Sequence, residues 1–312
     1  MWQSGRVSTE GSRRAILAAL GANLGIAAAK FAGFLVTRSA GMLAESVHSA
    51  ADSGNQALLL LGSNRAKQRA TPTHPFGFSR ERYFWGFAVA LVLFSMGGLF
   101  ALYEGIHKFR DPHELDSVGV AIAILALAIC LEGYSLSTAV REARKLKAPG
   151  VTWWRFIRSS KQPELPVVLL EDTGAEIGLV LALTGVIVAH QTHDARWDAL
   201  GSISIGVLLI GIAAVLIVEM KGLLIGESAS AADLDRIRAA LLGSPRVTAL
   251  IHLRTEHLGP DDILLAAKLE YDSTLTFVEL ADAIDATEAD VRAAVPEVGL
   301  IYIEPDVRRP AD

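Results

Sequence analysis

The chain has 312 residues, 51% of them hydrophobic, with a formal net charge of −5 and a mean hydropathy of +0.37. So mild a negative charge argues against general nucleic-acid binding. The single cysteine, Cys130, excludes a disulfide framework and a cysteine-rich metal site.

The apolar residues come in blocks. The opening, "MWQSGRVSTEGSRR", is polar and short. The stretch after it is too long for a signal-peptide core and lacks a small-residue cleavage pattern, so it reads as a retained span. Six stretches, at about 14–37, 41–64, 83–107, 116–140, 165–190 and 197–220, are each long enough for a hydrocarbon core, which takes roughly 20 residues. The first, "AILAALGANLGIAAAKFAGFLV", is rich in Gly and Ala, which suits close helix contact in lipid. Basic residues crowd the N-terminal tail (Arg6, Arg13, Arg14), the second loop (five, from Arg65 to Arg82) and the fourth loop (seven, from Arg141 to Lys161). The remaining loops hold only Arg38, Lys108, Arg110 and Arg196. The positive-inside rule then places both termini in the cytoplasm. Trp153 and Trp154 read as an interfacial anchor before the fifth span.

The character changes near residue 227, giving two expected domains: a membrane domain over 1–226 and a cytoplasmic α+β domain over 227–312. "SAADLDRIRAALLGSP" reads as an amphipathic helix. "RVTALIHLRTEHLGPDDILLAAKLEYD" reads as two strands around a Gly-Pro-Asp turn. A second helix follows, with Thr and Glu near its start, and "VGLIYIEPD" is a last strand. The order αββαβ fits a small ferredoxin-like domain.

Ionisable residues inside the spans mark ion or proton paths by default. In "AESVHSAADSGNQ", His48 and Asp52 are four apart and share a helix face, with Glu45 close to it. An imidazole and a carboxylate suit a borderline divalent metal such as Zn²⁺. The fifth span supplies Asp172 and Glu176, again four apart, with Glu171 rotated by about 100°. Glu132 lies in the fourth span. Singly, each has a bland reading: a helix–helix hydrogen bond for the His–Asp pair, solvation for Glu45. Together, two carboxylates near the midplane need a cation or exchangeable protons to neutralise them.

The six spans, "HSAAD", "HPFGFSRERYFW", "LLEDTGAEIG" and the αββαβ tail resemble the cation diffusion facilitator family over nearly the whole chain, most closely the branch containing the mammalian mitochondrial zinc exporter. The resemblance implies export of Zn²⁺, or Co²⁺ or Cd²⁺, in exchange for protons by a homodimer that alternates between inward- and outward-facing states. It implies a transport site at His48, Asp52 and Asp172, the family's other fifth-span ligand falling on Val168, which cannot bind a metal. A fourth ligand is then water, Glu171, Glu176 or Glu132. His74 and His252 fall on accessory metal positions, but Phe78, Lys268, Ile303 and Pro305 occupy others, so His74 reads as a loop-packing residue and the tail as a dimerising domain without a full zinc cluster. The remaining alternatives are manganese or iron efflux by the same fold and a non-transporting membrane scaffold or sensor. No H-E-x-x-H motif is present, so the chain reads as neither an enzyme nor the holder of a resident cofactor. A bacterial inner membrane is the expected location.

Overall fold

The structure is a computed structural model that describes residues 24–113, 117–147 and 149–309. The start of the first expected span and the last three residues lie outside the described residues. The chain divides into two units, and the division is not a single cut near residue 227. The first unit takes residues 1–61, 85–158 and 164–219; the second takes 62–84, 159–163 and 220–312.

The first unit is helical. Its elements are α1 (Leu24–Thr37), α2 (Ala40–Arg65), α3 (Glu81–Arg110), α4 (Val118–Leu146), the short α5 (Trp153–Ser159), α6 (Glu164–Thr192) and α7 (Arg196–Ile225). Several of these helices continue into the second unit. Four of the described helices, α3, α4, α6 and α7, are long and apolar enough to cross a membrane. The other two expected spans correspond to α1, which covers the described part of the first, and to α2, which carries Glu45, His48, Asp52, Asn55 and Gln56 within one helix.

Burial on α6 follows the helical period: Val167, Glu171, Ala175, Gly178, Ala182, Val186 and Ala189 form one inward stripe. Pro166 sits in the first turn, where a missing N–H costs no hydrogen bond. Small residues let α3 and α7 approach closely. A Cβ on Gly98 would meet the backbone nitrogen of Ile210 at 3.0 Å, and one on Gly206 that of Leu102 at 2.6 Å. Within α3, Leu93–Leu99 winds as a π-helix.

At one end of the bundle the tight turn between α1 and α2 is held by α3 and α7. Arg38 adopts a left-handed backbone (φ 58°), closing α1. Asp198 on α7 accepts hydrogen bonds from Ser39 Oγ (2.6 Å) and the Ala40 amide (2.8 Å), so it caps α2 from another helix. Lys108 on α3 donates to Asp198 Oδ2 (3.0 Å) and to the Arg38 carbonyl (2.5 Å). Both charged side chains are buried.

In the second unit, α8 (Ala231–Gly243), β1 (Val247–Gly259), β2 (Asp262–Tyr271), α9 (Phe277–Ala294) and β3 (Val298–Pro305) follow the expected αββαβ order. The three-stranded sheet has the order β1-β2-β3. The β1–β2 pair is antiparallel and β2–β3 is parallel. On central β2, Ile263, Leu265, Ala267, Leu269 and Tyr271 alternate inward. They pack with Ile237 and Leu241 of α8 and Val291 of α9. Ser230 caps α8, and Thr276 with Glu279 forms a capping box on α9. The loop after α2 joins this unit through side chains: Ser79 donates to Asp262, Arg80 to Glu256 and Arg82 to Asp261.

Candidate functional site: a carboxylate-lined cavity

The first unit holds a cavity of about 100 Å³ lined by residues of α1, α2, α4 and α6. Four acids face it: Asp52 from α2, Glu132 from α4, and Glu171 and Asp172 from α6. Ser49, Gln56 and Ser135 add polar groups, while Ile26, Leu131 and Val168 close the wall. Asp52 and Glu171 are in hydrogen-bonding contact with each other. Two acids in contact need a proton or a cation between them. Asn55 Nδ2 donates to Glu171 Oε1, and Ser135 Oγ donates to Asp172 Oδ2 at 3.3 Å.

Sequence spacing located some of this. His48 and Asp52, one turn apart on α2, meet at 3.5 Å between Nε2 and Oδ2, an ion-pair distance with no hydrogen bond. His48 is fully buried but is not among the residues facing the cavity. A Cβ on Gly97, in the π-helical stretch of α3, would lie 3.6 Å from His48 Nδ1, so the glycine leaves the ring its space. Glu176 points toward α4, where a Cβ on Gly133 would lie 3.6 Å from its Oε1, and does not face the cavity.

The candidates Glu45 and Glu132 are drawn to a residue to which sequence reasoning assigned no role. Lys30 on α1 is 1% exposed, and its Nζ lies 3.2 Å from Glu45 Oε2, 3.7 Å from Glu132 Oε1 and 2.7 Å from Ser49 Oγ. Gly178 makes room for the Glu45 carboxylate: a Cβ there would fall 2.6 Å from Glu45 Oε1. The signal for Lys30 was present, because a lone lysine inside an apolar Gly/Ala-rich span is itself an intramembrane charge. Asn55, three residues after Asp52, was the other omission.

Buried polar atoms without a hydrogen-bond partner gather in the same region. They are Glu45 Oε1, both His48 ring nitrogens, Asp52 Oδ1, Asn55 Oδ1 and Glu176 Oε2. Native interiors leave few such atoms. Among the described residues, no three His, Cys, Asp or Glu side chains are drawn together tightly enough to hold a metal ion.

The accessory candidates lie in the second unit. His74 is exposed, stacks on Phe78 with ring centroids 4.6 Å apart, and closes a small turn by bridging to Thr71. His252 Nε2 accepts from Arg254 Nε at 2.7 Å. Its cross-strand neighbour Lys268 pairs with Asp306 (3.0 Å) and Glu304 (3.2 Å). Hydrogen bonds to Asp306 and Glu304 raise the Lys268 pKa above its ordinary value. A firmly cationic side chain beside His252 opposes a metal there.

Residues 16–225 match the family described as the cation efflux transmembrane domain. The chain belongs to the cation efflux family. Among curated members it is 33% identical over 257 residues to "Proton-coupled zinc antiporter SLC30A9, mitochondrial" of Mus musculus, which covers 81% of this chain and 45% of the relative. It is 27% identical over 270 residues to "Metal tolerance protein C4" of Arabidopsis thaliana, covering 86% and 59%. This cation efflux protein therefore spans about half the length of the curated relatives it matches. Among solved structures, a variant of the MamM CTD is 27% identical, covers 25% of this chain and 93% of its own, and has a TM-score of 0.24. The family is one of integral membrane transporters of metal cations.

Proposed function

We propose that this cation efflux protein exchanges a divalent cation, with Zn²⁺ as the first candidate, for protons by alternating access. The observation that carries the reading is the cavity faced by Asp52, Glu132, Glu171 and Asp172, with His48 against Asp52. Four acids in one apolar bundle are costly unless a cation or protons neutralise them. Lys30 is within ion-pair distance of Glu132 alone among these four, so a purely structural role leaves Asp52, Glu171 and Asp172 without a neutralising charge.

His48, Asp52 and Asp172 form the ligand set of the reading. Glu171 is its fourth member: it contacts Asp52 and faces the cavity, while Glu176 does not and Glu45 is held by Lys30. Val168 lines the wall without a donor atom. The ion would draw in the carboxylates that now bond to Asn55 and Ser135, together with the unpartnered atoms of His48 and Asp52. These ligands must lose their protons to bind a metal, so proton release accompanies loading and proton uptake accompanies discharge.

In this reading α1 and α2 cross the membrane with the four longer apolar helices, giving six crossings. Both termini lie on the side of the basic loops, the cytoplasm of a bacterial cell, and the αββαβ tail pairs two copies of the chain. Purified protein in liposomes loaded with a zinc-sensitive dye tests the transport. A pH gradient is expected to drive zinc uptake by the wild type, and His48→Ala or Asp52→Ala to abolish it. Wild-type-like uptake by both variants would sink the site assignment.

A second reading rests on the composition of the cavity, which is faced by four carboxylates and no imidazole. Oxygen-rich sites suit Mn²⁺ better than Zn²⁺. Uptake of zinc in the presence of excess Mn²⁺ separates the two: strong inhibition favours the second reading.

A further inference from the structure

Lys30 joins the cavity to Glu45, an acid outside it. Two of its three partners, Ser49 and Glu132, line the cavity, and the third, Glu45, does not. Ile26, one turn earlier on α1, lines it as well. The ammonium thus stands at the cavity wall, fully buried, with a carboxylate on either side. A lysine so placed does not extend its ammonium to the surface as lysines ordinarily do. Its charge acts on whatever occupies the cavity at short range and with little screening.

We propose that Lys30 is a resident cation of the transport cavity: it keeps Glu45 and Glu132 as its own counter-ions, withholds them from the transported divalent ion, and so sets how tightly that ion is held and how readily it leaves. The proposal rests on the transport reading above. Two consequences follow from one charge. With Lys30 in place, Glu132 faces the cavity already neutralised, and the metal meets a smaller net negative field. Without it, Glu132 becomes a free ligand beside Asp172 and the field on the metal rises. Tight binding and fast release are opposed in a carrier, so Lys30 trades affinity for turnover. It acts through Glu132 and is a positioning residue.

The full chain in liposomes, with zinc as the probe, tests this by equilibrium binding and by initial rates. Lys30→Met is expected to bind zinc about tenfold more tightly and to turn over about tenfold more slowly. Lys30→Arg, which keeps the charge and the donors, is expected to restore both values to within about threefold. Unchanged or weaker affinity in Lys30→Met overturns the proposal.

The double variant Lys30→Met/Glu45→Gln covers the case in which the single variant fails to fold, because it removes the Lys30–Glu45 pair as a whole. It is expected to keep the tighter binding, since Glu132 is still released into the cavity. A return to wild-type affinity in the double variant would mean that Lys30 serves only to balance Glu45, and overturns the proposal. A wild type that neither binds nor carries zinc overturns the transport reading itself and the role of Lys30 with it. That result is distinct from zinc binding that is present and indifferent to Lys30.

Discussion

The side-chain amide of Asn55 on α2 lies 2.5 Å from Glu171 Oε1 on α6, across 116 positions of sequence. It fixes a carboxylate that also contacts Asp52, and so holds an acid at the wall of the cavity. If Glu171 stands in for the ligand missing at Val168, both residues matter to metal affinity. Glu171→Gln is expected to weaken zinc binding by about 10- to 100-fold and Asn55→Ala by about tenfold, the scale of losing a ligand's supporting partner. Glu176→Gln, on a side chain that does not face the cavity, should stay within about threefold. Binding isotherms on purified protein give the ranking, and equal losses at 171 and 176 would remove Glu171 from its place.

Val168 offers the converse experiment. It lines the cavity with Asp172 one turn further along α6. Val168→His places an imidazole opposite the carboxylates. Zinc and cadmium are expected to bind at least about tenfold more tightly, and manganese to change little, because imidazole favours the borderline metals. Competition binding between zinc and manganese reads the shift directly.

A third prediction concerns stability. Asp198 joins Ser39, Ala40 and Lys108 in one buried set. Asp198→Ala strips the cap from α2 and leaves the Lys108 ammonium with the Arg38 carbonyl and without its buried counter-charge. Breaking a buried pair from one side costs about 3–5 kcal/mol. Asp198→Asn keeps hydrogen-bonding atoms and should cost less, and Asp198→Ala/Lys108→Met should recover part of the loss. Denaturation in detergent micelles gives the order of the three variants.

How much of this was legible beforehand depended on range. The His48–Asp52 contact is a matter of four residues on one helix, and spacing alone located it. The αββαβ order, the Thr276 and Glu279 start of α9 and the turn near Pro260 are equally local, and they appear where the patterns put them. The partners of Lys30, Asn55 and Asp198 come from other helices, 15 to 159 positions away. Helical periodicity states which face a residue is on and is silent about which helix it meets. The second unit's share of the loop after α2 was hidden for the same reason, since Arg80 and Arg82 read only as basic loop residues until their acidic partners on β1 and beside the turn are in place.

A fourth prediction uses pH. Burial pushes the His257 imidazole below its ordinary value of 6.5, against a smaller upward pull from the Gly259 carbonyl. A base whose pKa is lowered by folding takes up its proton more readily when unfolded. Its neutral state therefore stabilises the second unit fully above about pH 6.5, and that contribution is lost as the pH falls through this value and levels off below the folded pKa. Hydrogen exchange of β1 and β2 amides in the full chain, corrected for intrinsic rates, is expected to quicken between about pH 7.5 and pH 5.5. In His257→Phe that dependence should flatten; an unaltered pH profile in the variant would assign the effect to other groups.

The π-helical turn at Leu93–Leu99 has a consequence for the length of α3. A π-turn takes up more residues per revolution than an α-turn, so this segment stores surplus chain without moving the helix ends. Gly97 faces His48 from inside it, and Gly105, beyond it, still packs against the Ile203 backbone. Removing a single residue between 93 and 99 would relax the segment to an ordinary α-helix and leave the two flanks close to their present orientation. The same deletion within 100–104, past the π-segment, would swing Gly98 and Gly105 apart by about 100°. The stretch beside the buried histidine is thus the place where this helix has slack to give.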